Sequence, residues 1–462
     1  MPKGPIQRIQ DSVHGLMEFR GMETLVIDIL RTPELQRLRR IRQLGLAHLV
    51  YPGAEHSRLV HSLGAAWLAI RFGRQLADNS RELLIDAFCP GESAIRDLAI
   101  AALCHDLGHG PLSHAWEREV VGERYDFNKW ARKLGIEESH YHYLQGAKWH
   151  ELVGSALLLW PEGQLHRLLE RNETTSSERI RHMLRGRYYL QYLPRLLSGD
   201  VDVDRADFLR RDTHQSGVAY GRYDLDWLVS TCTVGRTDRD ELVSGFDRRK
   251  SVRVIEQFLI ARQALYETVY YHKTIRAAEG MVALFLRRVK EVLSEGAKVS
   301  AVELVRPYVE VMRGEALDQR EILALDDFSL SVLIDSLANE PGADATVKDI
   351  GGRILSRDLF KMVPCESQAV AEFIGQPEGF EKVYGAIKPF CPGNPRYYLV
   401  VDRLHFSMFA KGRAEVSFLV DENRLAMPIK EHPLLQQYDK ESHSTRLFTL
   451  SEAVESVRCL IG

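Results

Sequence analysis

From about residue 30 to residue 300, apolar positions recur at three- and four-residue spacing, the period of helices that bury one face. A first helix is signposted by Thr32 as cap, Pro33 in its first turn, Leu35, Leu38 and Ile41 on one face, and Gly45 as its stop. Its arginine-rich stretch from Arg37 to Arg42 reads first as a solvated face and second as an oligomer contact. A second helix is predicted over about 57–76, with Leu63, Trp67 and Ile70 turned inward. The third, over about 93–105, is almost solidly apolar. It is expected to be buried on most sides and to end abruptly in His105-Asp106 and the glycines Gly108 and Gly110. Further helical stretches are predicted around 187–212 and 250–295. Toward the C-terminus the character changes: 397–402 (YYLVVD) and 415–421 (EVSFLVD) read as strands. The expected fold class is therefore mainly α. A helical body over 1–300 is followed by a smaller mixed α+β region over 301–462, packed on the body and involved in oligomerisation.

Composition narrows the classes. Hydrophobic residues at 45% and charged residues at 27% are average for a globular protein. A formal net charge of −3 argues against a protein that coats nucleic acid. The opening MPKGPIQRIQDSVHG has no apolar core of a signal peptide, and no apolar run is long enough to cross a bilayer. A cytoplasmic protein without a membrane partner is expected. The six cysteines are scattered without CxxC spacing, which points to reduced thiols and away from a structural zinc ribbon.

The chemistry centres on His105-Asp106. Alone the dipeptide is weak. Closing an apolar helix, it is stronger, because an ionised Asp buried there needs a cation or donors. His61 lies on a separate predicted helix and Asp204 on a third. Singly each reads as an ordinary polar residue; as the ordered set His61, His105, Asp106, Asp204 they read as a metal site. Two imidazoles and two carboxylates suit a divalent transition metal (iron, manganese, nickel, zinc or cobalt) and leave positions for water and phosphate. A second magnesium or manganese ion stays an open option. Histidines suited to proton transfer near neutral pH follow closely: His109, one turn beyond His105, then His114 and His150, with Glu117 between. Arg58 lies three residues before His61, so both can face one pocket. Asp204, Phe208 and Asp212 share a helix face. Capping residues, surface arginines and core aromatics are the plain alternatives for these positions.

The segments DSVHG (11–15), RTPELQRLRRIRQLG (31–45), YPGAEHSRLVHSLG (51–64), HDLGHGPLSH (105–114), WHE (149–151), DVDRADFLRRD (202–212), ARQALYETVYYHK (261–273) and ILSRDLFKMV (354–363) together resemble the HD-domain deoxynucleoside triphosphate triphosphohydrolases. The resemblance covers roughly residues 8–363, and no SAM domain is expected ahead of the catalytic body. It implies release of deoxynucleoside and inorganic triphosphate. His109 and His150 match the family's catalytic histidines, with Glu117 where an Asp often orients one of them. His114, Arg58, Arg205 and Arg262 match phosphate-binding positions, Gln43 a substrate-binding one, and Phe208, Asp212 and Tyr270 the sugar pocket. Lys is commoner than Arg at position 205, Tyr is commoner than Phe at 208, and Tyr271 replaces a Gln. The family often forms nucleotide-activated oligomers, so a nucleotide effector and a homodimer or homotetramer are expected. The candidate allosteric positions are Arg8, Arg39, Arg248, Lys250, Lys273, Arg357 and Lys361. Arg31, however, stands where regulated members read guanine with an Asp, and Thr233 replaces an Arg, so GTP activation is expected to be lost or altered. Two alternatives remain. One is the same metal chemistry on a ribonucleotide, dinucleoside polyphosphate or monophosphate. The other is a nucleotide-binding module with vestigial activity, with nucleic acid as a secondary partner.

Overall fold

The apolar run ahead of His105 forms the helix Glu92–Cys104, in which every residue from Ala94 to Cys104 is buried. Its charged pair is accommodated internally: Arg96 bonds Asp97 at 2.8 Å, and Asp97 also accepts from the Tyr188 hydroxyl at 2.8 Å. Against it packs the helix Arg58–Ser80, and Val203–Ser216 packs against that one in turn. This computed structural model describes residues 6–82, 89–112, 116–122, 125–296, 303–409 and 416–462. Among these residues the fold is mainly helical with small sheets, as expected.

Two glycines set how closely the three elements approach. A Cβ on Gly64 would lie 1.9 Å from Asp207 Oδ1 and 2.4 Å from Arg211 Nη2, so only glycine lets Arg58–Ser80 and Val203–Ser216 meet there. A Cβ on Gly108 would lie 1.9 Å from the His150 carbonyl oxygen, so the turn after His105 can press onto the helix Trp149–Leu158.

Several expected elements differ. The helix expected to reach Gly45 is α-helical only over Pro33–Gln36 and tightens to a 3-10 turn over Arg37–Arg40. Arg42 then bridges to Ser57, and Gly45 takes a left-handed φ of 51° in a turn. The cause is Arg37, which is 1% exposed. Its guanidinium donates to the carbonyls of Leu107, His109 and Leu325 at 2.7–2.9 Å, so Arg37 is an internal brace, while Arg39 and Arg40 remain exposed. The 187–212 helix begins only at Val203, where Asp202 caps it, because Pro194 and Gly199 interrupt the run. The 250–295 stretch is two helices, Arg248–Leu265 and Lys273–Ser294, separated by a wide π-type turn at Tyr266–Tyr270.

Strands missed by the helical pattern complete the body. β1 (Ile6–Asp11) and β2 (Gly15–Arg20) form an antiparallel hairpin. β3 (Cys232–Arg236) and β4 (Leu242–Asp247) pair antiparallel. β5 (Lys361–Met362) and β6 (Leu399–Ser407) come next, followed by β7 (Phe418–Val420), β8 (Ala426–Pro428) and β9 (Glu441–Thr449). The two expected C-terminal strands are shifted and join different sheets. β6 pairs β9, whereas β7 runs parallel to β4 with Phe246 opposite Leu419. Residue 415 of the second expected strand lies outside the described residues. The register of β7 on β4 stitches the last fifty residues onto strands of the body, and one hydrophobic core cluster extends from Met17 to Val457.

Gly64→Ala is expected to destabilise the protein by about 2–3 kcal/mol or more through overpacking at a site where both neighbours are buried and bonded. Urea unfolding of the variant, followed by circular dichroism, measures it.

Candidate metal centre

Three helices deliver their ligand atoms to one point. His61 comes from the first turn of Arg58–Ser80, His105 from the residue that ends Glu92–Cys104, and Asp204 from the first turn of Val203–Ser216. His61 Nε2 lies 3.3 Å from His105 Nε2 and 3.0 Å from Asp204 Oδ1, and His105 Nε2 lies 3.5 Å from Asp204 Oδ1. Asp106 stands at the same point, its Oδ1 3.3 Å from His105 Nε2 and its Oδ2 4.0 Å from His61 Nε2. His61 is fully buried while the Asp204 side chain is 33% exposed, so the centre opens to solvent on the Asp204 side.

The far nitrogen of each imidazole decides which atom faces inward. His61 Nδ1 meets Asp207 Oδ2 at 2.8 Å and His105 Nδ1 meets the Ala102 carbonyl at 2.7 Å, so both Nδ1 atoms carry hydrogens. The inward Nε2 atoms are then lone-pair donors set against carboxylate oxygens, a repulsive arrangement without a proton or cation between them. Ligands on a common ion at about 2.0–2.1 Å are separated by about 2.9–3.4 Å for tetrahedral to octahedral angles. The His61–His105 and His61–Asp204 spacings fall in that range and His105–Asp204, at 3.5 Å, lies just beyond it; Asp106 is within it from His105 and beyond it from His61. The donor set therefore fits a divalent transition metal, which these residues would hold.

In the ion-free chain protons do that work. Burial disfavours an imidazolium at both histidines, yet Asp204 and Asp207 push His61 up to about 10, and Asp106 and Asp204 push His105 up to about 9. Burial likewise opposes ionisation of Asp204, but His105 and His61 hold its carboxyl well below the usual range.

Around this core the other expected residues fall into groups. Arg58 Nη1 bonds Asp106 Oδ2 at 2.5 Å. The His109 ring stacks on the His150 ring at 4.3 Å and 16°, and its Nε2 lies 3.4 Å from Asp106 Oδ1. Glu117 accepts from His150 Nδ1 at 2.8 Å. His114 lies outside the described residues. Phe208 stands between His61 and Tyr270, with centroid distances of 6.4 and 6.3 Å. Asp212 is buried and accepts from the Tyr270 hydroxyl at 2.6 Å, with His56 Nε2 at 2.9 Å. Gln43, Arg58 and Tyr270 line a cleft of about 1270 Å³ that Tyr271, Arg276 and Asp402 continue. Arg205 is paired with Asp202 and donates to the Gly199 carbonyl, while Arg262 donates to the Met408 carbonyl at 2.5 Å.

The candidate allosteric residues do not gather in one place. Lys273, Arg357 and Lys361 line a separate pocket of about 310 Å³. Arg8 bonds Glu18, Arg39 bonds Gln36, Lys250 pairs with Asp247 at 3.9 Å, and Arg248 is exposed. Arg31 reaches Gln7, and Thr233 is buried, accepting from Arg424.

Residues 58–205 match the family model described as HD domain. The matched stretch contains all four candidate ligands, His61, His105, Asp106 and Asp204. Along its length the chain is similar to the uncharacterised protein YwfO of Bacillus subtilis, 27% identical over 416 residues, covering 88% of this chain and 82% of that one. It is also similar to the deoxynucleoside triphosphate triphosphohydrolase SAMHD1 of Bos taurus, 25% identical over 476 residues, covering 95% of this chain and 76% of that protein. Among solved structures, a phosphohydrolase from Bacteroides thetaiotaomicron superposes with a TM-score of 0.74 at 26% identity, covering 96% of this chain and all of that one. A hypothetical protein from Aquifex aeolicus, 21% identical with a TM-score of 0.66, shares the fold. No helix among the described residues is long and apolar enough to cross a membrane.

The residues that sequence reasoning missed stand behind the HD centre. Asp207 orients His61, while His14, Arg211 and Asp11 hold Asp207 in turn. The short turn DSVHG and the second Asp of DRAD carried that signal. An HD site loaded with metal must lose the two imidazole protons, so uptake at pH 7 is expected to release about two protons per ion. Affinity should climb as pH rises from 6 toward 9. Calorimetric titration of chelator-treated protein in buffers of different ionisation enthalpy reads both.

Proposed function

We propose that this protein is a metal-dependent deoxynucleoside triphosphate triphosphohydrolase, releasing deoxynucleoside and inorganic triphosphate. The observation that carries the reading is the four-residue donor set directly flanked by the stacked His109 and His150 and by Arg58. Similarity along most of the chain to a deoxynucleoside triphosphate triphosphohydrolase supports the choice of substrate.

A divalent ion held by His61, His105, Asp106 and Asp204 supplies Lewis acidity toward a phosphoryl oxygen. The chain's own residues do the rest. Glu117 fixes the His150 ring through Nδ1, so Nε2 is the atom that gives or takes a proton. His109, stacked on that ring with its Nε2 3.4 Å from Asp106 Oδ1, is the second imidazole placed to give or take a proton. Arg58 neutralises phosphate charge at the lip, and its bond to Asp106 ties its position to the ligand set. Arg205 and Arg262 each spend donors on protein carbonyls or Asp202 and keep other N–H groups for phosphate. Phe208 and Tyr270 offer ring surfaces to the sugar. Each Asp212 oxygen already accepts one bond and retains a lone pair for a sugar hydroxyl. Burial and Asp212 hold the Tyr270 hydroxyl protonated, its pKa well above the ordinary value, so it remains a donor. Lys273, Arg357 and Lys361 are proposed to take the phosphates of a nucleotide effector, with subunits associating as a homo-oligomer.

Phe208 lacks the hydroxyl that a Tyr would place against a ribose 2′-oxygen, which favours, as second reading, a pocket open to ribonucleotides. The test incubates purified protein with Mn²⁺ or Mg²⁺ and a panel of dNTPs, NTPs and dinucleoside polyphosphates, with products resolved by anion exchange. Inorganic triphosphate from dNTPs is expected. Monophosphate or pyrophosphate as the sole phosphate product would sink the reading. His109→Ala is expected to lower kcat by about 10²–10⁴-fold with metal content unchanged. Phe208→Tyr should raise the ratio of deoxy- to ribonucleotide kcat/KM, measured on the same panel.

A further inference from the structure

The β6–β9 ribbon carries a second cluster of ligand atoms, unrelated in sequence to the HD centre. His405 on β6 and His443 on β9 are direct cross-strand partners, and their ring centroids lie 4.6 Å apart. Glu441 precedes His443 by two residues, so strand alternation puts it on the same face. Its Oε2 lies 3.2 Å from His405 Nε2 and 3.8 Å from His443 Nε2. One ligand atom from each residue lies within 4.8 Å of the other two. All three side chains are exposed, by 45%, 42% and 69% for His405, Glu441 and His443.

Ion pairing to Glu441 draws on both imidazoles, and all three groups offer their ligand atoms at one point. Direct cross-strand partners have Cβ atoms about 4.5–5.5 Å apart, which lets two imidazoles share one ion without moving the backbone. Two histidines and one carboxylate with the outer face open to water form the ligand set of a zinc-class ion, and nitrogen donors select against calcium and magnesium.

We propose that His405, Glu441 and His443 form a surface site for one zinc-class divalent ion, which staples the ends of β6 and β9. The end of β6 is also what the candidate substrate pocket leans on. The His405 carbonyl accepts from the Tyr271 hydroxyl at 2.8 Å, the Met408 carbonyl accepts from Arg262, and the Phe406 ring lies 4.6 Å from that of Tyr266. An ion bound outside therefore fixes the strand that positions Arg262 and Tyr271 inside, whichever nucleotide the pocket takes.

The test titrates Zn²⁺ into the full chain and into a His405→Ala/His443→Ala variant, with bound ions counted by elemental analysis after gel filtration. Both positions are exposed, and circular dichroism checks that the variant folds. The wild type is expected to hold one equivalent more than the variant, and Asp204→Asn should retain that extra equivalent while losing the central one. Amide hydrogen exchange over 405–408 and 441–443 should slow on Zn²⁺ addition in the wild type and not in the double variant. Equal ion content in wild type and double variant overturns the site. Unchanged exchange in a wild type that holds the extra ion overturns the staple.

Discussion

Asp207 has no exposed side-chain surface, and each of its oxygens accepts twice. Oδ2 takes His61 Nδ1 and Arg211 Nε, both at 2.8 Å. Oδ1 takes His14 Nε2 at 2.6 Å and Arg211 Nη2 at 3.0 Å. Burial would neutralise such a carboxyl, but Arg211, His14 and His61 together hold it well below the usual range. The orientation of His61 rests on this carboxylate: its proton is drawn to Nδ1, and the lone pair of Nε2 is aimed at His105 and Asp204. Gly64 exists to let the two helices close on it, and the β1–β2 turn brings His14 and Asp11 to seal it from behind.

The magnitudes explain why so much charge is buried here. An exposed pair such as Arg31–Asp28 is worth about 0–1 kcal/mol. Removing one member of a buried, hydrogen-bonded set costs about 3–5 kcal/mol, because the remaining charge is stranded. Stability alone does not require the network, since apolar packing achieves as much. What it adds is a fixed register of ligand atoms. A second brace works from the other side of the turn after His105: Arg37 grips the carbonyls of Leu107 and His109, and Asp327 accepts from the amides of Arg42 and Leu112. Residues nearly three hundred positions downstream of Arg42 thus shape the HD loop.

The fold class and the candidate metal site were legible because each leaves a local trace. A solidly apolar helix that stops at His105-Asp106 is odd enough to read. Asp207 left a fainter trace, the second Asp of DRAD: it reads as one more acid on a charged helix, and only the closeness of Gly64 separates it from a solvated face. Arg37 was misread for the same reason, since an arginine among arginines says nothing about the carbonyls it meets. The hairpins β1–β2 and β3–β4 are short, and their pairing depends on partners outside a helical window. The His405–His443 pairing needed the register of two strands almost forty residues apart. Helix ends failed where tertiary bonds took over, at Arg37 and again at the turn before Lys273.

A crystal of Mn²⁺-loaded protein, examined by anomalous diffraction at the manganese edge, addresses the central claim directly. The expected result is a peak bonded to His61 Nε2, His105 Nε2 and Asp204, in contact with Asp106, with His61 Nδ1 still on Asp207. A peak elsewhere, or a His61 ring turned so that Nδ1 leaves Asp207, would contradict the account.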